Sequence, residues 1–330
     1  MNDHYIPPFT ITTEITNLVA KIAETVGLLT AKVGDLPVPQ LRKQNRIKTI
    51  HSSLAIENNS LSIEQVTAIL EGKRVLGAPN EIKEVKNAID AYNLLLELNP
   101  YKVKDLLRAH KLMMSDLVNE AGRFRSGDVG VMGNQGVVHL GPPAIRVPEL
   151  MAELLKWVKQ TDVHPVISSC VFHYELEFIH PFADGNGRMG RMWQTLLLMQ
   201  WNPIFAWIPI ENIVKDNQQE YYQTIAQSDH QASCTPFIAF MLRCILNALQ
   251  LTESDQTDDP TKSTLESTLK STPKIILRMM KENPAITINE IAEHLGLNRR
   301  GIAKHIHNLQ AQGVIRRVGP NKGGHWETNS

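Results

Sequence analysis

The chain has 330 residues, with 34 basic and 34 acidic side chains and no net formal charge, a length that suits two domains. An apolar fraction of 42% beside a charged fraction of 21% argues against a disordered chain and against a wholesale polycation. No apolar run approaches the roughly 18 residues of a membrane span, and Met1 to Pro8 has neither the basic nor the apolar segment of a secretion signal. Cys170, Cys234 and Cys244 offer no CxxC pair and leave an odd thiol, which argues against a disulfide framework or a Cys-based zinc site. The expectation is a cytoplasmic chain with no membrane partner.

The first 250 residues read as mostly helical. Ile15, Leu18, Val19, Ile22, Val26 and Leu29 form a 3.6-period stripe over Thr13 to Thr30, broken by Gly34 to Pro39. A second helix is expected from Gln40 to Ile56. Ser62 and Gln65 then have the spacing of a capping box. Further helices are expected over Ile82–Leu98, Lys102–Asn119, Pro148–Lys159, Pro165–Ile179, Arg188–Met199, Asn217–Gln227 and Thr235–Leu249. Between them, Val129, Val131, Val137, Val138 and Leu140 flank Gly133-Asn134-Gln135-Gly136, the pattern of a short hairpin.

His180-Pro181-Phe182-Ala183-Asp184-Gly185-Asn186-Gly187-Arg188-Met189-Gly190-Arg191 carries the chemistry. Pro181 disfavours the helical conformation of the residue before it, so one helix ends here and another begins after it. Gly185, Asn186 and Gly187 tolerate positive φ and present bare backbone N–H groups at a helix start, where the dipole favours an anion. Arg188 and Arg191 are three apart and share a helix face. Two guanidiniums beside an amide nest suit a polyphosphate. Asp184 adds an oxygen ligand of the kind Mg²⁺ uses next to substrate phosphates. His180 has an ordinary pKa near neutrality and is the natural general base. Each fragment alone is commonplace; the ordered set is not.

The set matches the HPFx[D/E]GNGRxxR motif, and the chain is similar in this to Fic (Fido-fold) proteins. The hairpin before Pro142-Pro143 resembles the family's target-binding flap, so the resemblance runs over about residues 1–250. It implies a protein adenylyltransferase, which moves AMP from ATP to a Ser, Thr or Tyr hydroxyl of a target protein, its own chain included. It also implies that His180 deprotonates the hydroxyl and Asp184 holds Mg²⁺. Gly185, Asn186 and Gly187 would form the anion hole, with Arg188 on the departing pyrophosphate and Arg191 on the γ-phosphate. Met189, Gly190, Glu57 and Tyr222 complete the ATP surroundings it implies, Tyr222 towards the adenine. Upstream, Ser53-Leu54-Ala55-Ile56-Glu57-Asn58 resembles the family's [S/T]xxxE[G/N] inhibitory motif, with Ser53 and Glu57 on one helix face. By that resemblance Glu57 pairs with Arg191 and blocks the γ-phosphate; an Arg–carboxylate fork competes directly with an Arg–phosphate fork.

From Leu251 to Thr272 the chain turns polar and acidic, as a linker does. Residues 271–330 carry nine basic and four acidic side chains, a net charge of +5. An apolar stripe over Lys274–Lys281 precedes a helix over Thr287–Gly296, a second over Asn298–Gln310 and a Gly-rich turn after Arg316-Arg317. The order resembles a winged helix-turn-helix. Arg299, Arg300 and Lys304 would touch DNA phosphates, with Arg300 or His305 at base edges.

The expected fold is mainly α, a Fic/Fido helical core with a short β-hairpin flap plus a C-terminal winged helix-turn-helix domain. Its expected parts are an N-terminal helical region with the inhibitory helix (1–100), a Fic/Fido catalytic domain (101–250), a linker (251–271) and the winged helix-turn-helix (272–330). ATP and Mg²⁺ are the expected substrate and cofactor; a target protein, DNA and a second copy in a homodimer are the expected partners. Two alternatives stay open at this point: a DNA-binding transcriptional regulator with a sensory Fic core, and an enzyme that removes AMP.

Overall fold

A computed structural model describes residues 5–33, 39–133, 136–257, 276–277, 279–281, 283–284, 286–294, 306, 309–310, 314–319 and 324–328. The chain divides into two compact units, Met1–Glu253 and Ser254–Ser330. Residues 1–100 and 101–250 both lie within the first unit.

In the first unit the helices are α1 (Thr13–Val33), α2 (Pro39–Ile56), α3 (Ile63–Leu70), α4 (Pro79–Asn93), α5 (Val103–Met113) and α6 (Val147–Gln160). They are followed by α7 (Pro165–Ile179), α8 (Asn186–Trp201), α9 (Ile210–Asp216), α10 (Gln218–Gln231) and α11 (Thr235–Thr257). Strands β1 (Gly130–Gly133) and β2 (Gly136–Leu140) pair antiparallel, Gly130 opposite Leu140, as the hairpin pattern predicts.

Helix α7 organises the unit. Its sequence is apolar nearly all round, and such a helix belongs inside a protein. One face, with Phe172 and Leu176, joins a core built with α2 to α6. The other, with Val166, Ile167, Cys170 and Val171, joins a core built with α1 and α9 to α11. Helix α8 packs on α7 and shares both cores through Trp193, Leu197 and Leu198. The loop between these two helices therefore rises from the packed centre of the unit.

Two boundaries differ from the sequence pattern. Helix α5 stops at Met113, not Asn119. The chain turns back there so that the Gly122 N–H donates to His110 Nδ1 at 2.9 Å, and Asp116 takes φ +58°. Helix α11 continues through Thr257, so the first residues read as linker are helical. Thr235–Glu253 within α11 is long and apolar enough to cross a membrane, with mean hydropathy 1.3. Two-thirds of that stretch is buried inside the unit, as in a core helix. The capping box of α3 forms as its spacing predicts: Ser62 accepts from the Gln65 N–H, and the Gln65 side chain accepts from the Ser62 N–H.

The second unit has its own core of Ile276, Met280, Ile286, Ile291, Ile306, Leu309, Ile315 and Trp326. A helix over Ile288–His294 starts at a Thr287–Glu290 capping box. Strands β3 (Ile315–Val318) and β4 (His325–Thr328) pair antiparallel as a wing. Arg299, Arg300, Lys304 and His305, expected to face DNA, lie outside the described residues.

Candidate active site

His180 ends α7 in the left-handed conformation, φ +49°. A residue with a β-carbon adopts that region at a cost and only when its surroundings fix it. Arg125 provides that fixation. Its side chain is buried, its Nε donates to His180 O at 2.7 Å, and its two Nη groups donate to Gly127 O, Pro142 O and Ile179 O. The Arg125 N–H donates to Pro181 O. One guanidinium thus ties the end of α7 to both flanks of the β1–β2 hairpin. Sequence reading missed Arg125, because the carbonyls it gathers lie up to 55 residues away. His180 Nδ1 lies 3.3 Å from Glu177 O, a pairing in which Nδ1–H donates and Nε2 is the basic nitrogen.

The loop after His180 is clamped from inside. Asn186 accepts from the Phe182 N–H and donates to Phe182 O, both at 2.9 Å. Its side chain is therefore spent on loop geometry. His110 stacks on Phe182 with ring centroids 3.7 Å apart and meets Asp184 O through Nε2 at 3.0 Å. Burial pushes His110 down to about 4, so it serves as a neutral strut. Gly185 needs its hydrogen side chain: φ is +87°, and a Cβ would come 2.7 Å from Met114 Sδ. Asn186 and Gly187 are already helical. The Asp184 carboxylate is more than half exposed and accepts from the Gly185 N–H and from Arg188 Nη2.

The two arginines lie together but buried. Arg191 is 3% exposed. Its Nε donates to Ser53 Oγ at 3.2 Å, and its Nη2 donates to Ser53 O at 2.9 Å and to Glu57 Oε1 at 2.7 Å. Ser53 and Glu57 thus meet Arg191 as the sequence resemblance implies. Glu57 Oε1 also lies over the first turn of α8: a Cβ on Gly187 would come 2.5 Å from it. The carboxylate sits where a helix N-terminus attracts an anion. Burial opposes the charge of Arg191, and Glu57, Tyr221 and Glu177 together outweigh that opposition, leaving the guanidinium above its ordinary value. Arg188 Nε and Nη1 and Arg191 Nη1 are buried with no hydrogen-bond partner among the described residues. Orphaned guanidinium donors of this kind are incomplete without an acceptor.

Met189 and Gly190, expected beside the nucleotide, face the protein interior. Met189 is fully buried in the α2–α6 core, and a Cβ on Gly190 would come 2.7 Å from the ring of His173. His173 is packed between Gln194 and Tyr221, as a core histidine. Tyr222 is half-exposed on α10, and its hydroxyl donates to Ile56 O at 3.2 Å, beside Glu57. Glu177 lies behind the loop. Burial pushes its carboxyl up to about 7 against the pull of Arg191.

A strapped histidine, an exposed carboxylate and two buried arginines gather at a helix start, an arrangement suited to holding an anion. The family profile described as Fic/DOC family matches residues 100–198, and one described as winged helix-turn-helix DNA-binding matches residues 270–316. A crystal structure of a Fic family protein from Desulfovibrio desulfuricans G20 is 42% identical, covers 98% of each chain and superposes with a TM-score of 0.73. This chain belongs to the Fic/DOC family. It is similar to proteins named protein adenylyltransferase Fic from Nematostella vectensis, at 29% identity, and Culex quinquefasciatus, at 31%. The matches cover 66% of this chain, which spans only about half the length of these curated relatives, 51% and 43%.

Proposed function

We propose that this protein transfers AMP from ATP to a Ser, Thr or Tyr hydroxyl of a target protein, and that Glu57 holds it inhibited at rest. The observation that carries the reading is the Glu57 carboxylate seated on Arg191 over the first turn of α8, beside guanidinium nitrogens that lack an acceptor. A carboxylate in that place stands in for a phosphate oxygen.

With ATP seated, the γ-phosphate would replace Glu57 on Arg191. His180 Nε2 would take the proton of the target hydroxyl, and the oxygen would attack the α-phosphorus. The bond to the bridging oxygen of the β-phosphate would break, and pyrophosphate would leave towards Arg188. The dipole and N–H groups of α8 stabilise the charge that develops there. Asp184 fits Mg²⁺, because one exposed carboxylate beside substrate phosphates is how that ion is commonly held. A cation held there would supply charge neutralisation at the substrate phosphates.

Incubation with labelled ATP and Mg²⁺ tests the reading. Glu57→Gly should label protein strongly, wild type weakly, and Glu57→Gly with His180→Ala about 10²- to 10⁴-fold less than Glu57→Gly, while still binding ATP. Equal labelling with and without His180 would contradict it. The match of residues 270–316 to a DNA-binding winged helix supports DNA as a second partner, checked by salt-dependent binding of the full chain to duplex DNA.

A further inference from the structure

One acidic side chain outside the motif reaches its phosphate-binding arginine. Glu84 on α4 places Oε1 3.5 Å from Arg188 Nη1. Its Oε2 accepts from Asn59 Nδ2 at 2.7 Å. Asn59 is itself fixed: it is 7% exposed, donates to Glu81 O at 3.2 Å and accepts from the Leu61 N–H at 3.2 Å. Asn59 stands two residues after Glu57. The segment that carries the inhibitory carboxylate therefore touches both arginines, Arg191 directly and Arg188 through Glu84.

We propose that Glu84 is a positioning residue for Arg188, holding the guanidinium from behind so that its Nε–Nη2 edge faces the departing pyrophosphate. The inference rests on the adenylyl-transfer reading. Arg188 is 4% exposed, and a buried guanidinium needs a counter-charge. In the resting structure Asp184 shares that duty, with both oxygens 3.2–3.3 Å from Nη2. Asp184 would be the residue to hold a cation, which would leave Glu84 as the carboxylate beside Arg188. At 3.5 Å the contact is a charge pairing longer than a hydrogen bond, so it restrains Nη1 without occupying the edge that meets phosphate. The guanidinium fork is rigid, so fixing one nitrogen aims the other two. Asn59 fixes the carboxylate in turn.

An arginine aimed at the leaving group acts on charge that grows in the transition state, so its misplacement lowers kcat more than ATP affinity. The test uses the full chain carrying Glu57→Gly. Adding Glu84→Gln keeps the shape and an acceptor for Asn59 but removes the charge. It should lower kcat between about 10- and 100-fold and move the KM for ATP by less than about threefold. Glu84→Asp should recover part of the rate. Asn59→Ala should act in the same direction more weakly and add nothing on top of Glu84→Gln, because it works through that residue. A change in KM alone, an unchanged kcat in a variant with wild-type thermal midpoint, or additive Asn59 and Glu84 effects would overturn the proposal. No transfer by Glu57→Gly itself would overturn the underlying reading and this inference with it, a pattern distinct from loss on Glu84→Gln alone.

Discussion

The two ends of the motif are held in different ways. His180, at the end of α7, is set by backbone: a left-handed residue strapped through its own carbonyl by buried Arg125. Arg191, on α8, is held by Ser53 and by a second, partly exposed partner, the carboxylate of Glu57 in the turn after α2. The base end is positioned through its backbone. At the arginine end an anion completes the hydrogen bonding, and Glu57 supplies one from within the chain. On the proposed function, catalytic geometry and its restraint would be built from different chemistry, so each could be broken without the other.

The base end should show the larger effect. Removing the imidazole with His180→Ala deletes the proton acceptor, with the loss of about 10²- to 10⁴-fold given above. Arg125→Met comes next. It keeps volume but frees the carbonyls of Ile179, His180 and Pro142, so His180 is no longer held in its strained conformation. Transfer in the Glu57→Gly background should fall by roughly a hundredfold while ATP affinity, measured by calorimetry, stays put. Equal loss of ATP affinity would mean that Arg125 also shapes the arginine end.

The smallest effect concerns the platform beneath both ends. Glu175 on α7 is buried with Tyr5, and burial pushes its carboxyl from 4.5 up to about 7. The folded state then binds a proton that the unfolded state has lost, so this group's contribution falls as pH rises from about 4.5 to 7. His110 and His173, held down to about 4 and about 3, act oppositely: the unfolded chain takes up protons below about 6.5, and their contribution falls as pH drops. Comparison with Glu175→Gln cancels the histidine part. Relative to wild type, Glu175→Gln should gain stability between pH 4.5 and 7, by about 3 kcal/mol at most. Denaturant titrations at the two pH values check this; a pH-independent difference would place Glu175 in an environment that does not disfavour its charge.

Much of the architecture is legible locally. Pro165 and the His180-Pro181 pair bracket α7 to the residue, and the Ser62–Gln65 spacing writes out its capping box. Ser53, Glu57 and Arg191 meet as their motifs imply, although 134 residues separate the last two. What is not legible depends on distant partners. The early end of α5 follows from a Gly122–His110 bond made only when the chain folds back. Arg125 looks like any arginine until four carbonyls converge on it, and Glu84 until α4 docks beside Arg188. The Asn186 side chain closes the loop on Phe182, a role that only the folded loop reveals.

The central claim is that Glu57 and the γ-phosphate compete for Arg191. The most direct measurement is AMP transfer by wild type, Glu57→Gly, and Glu57→Gly with Arg191→Ala, under one ATP concentration series. The account predicts a rise of about a hundredfold on removing Glu57 and loss of most of that gain when Arg191 is also removed. A rate unchanged by Glu57→Gly, or a gain that survives without Arg191, would contradict it.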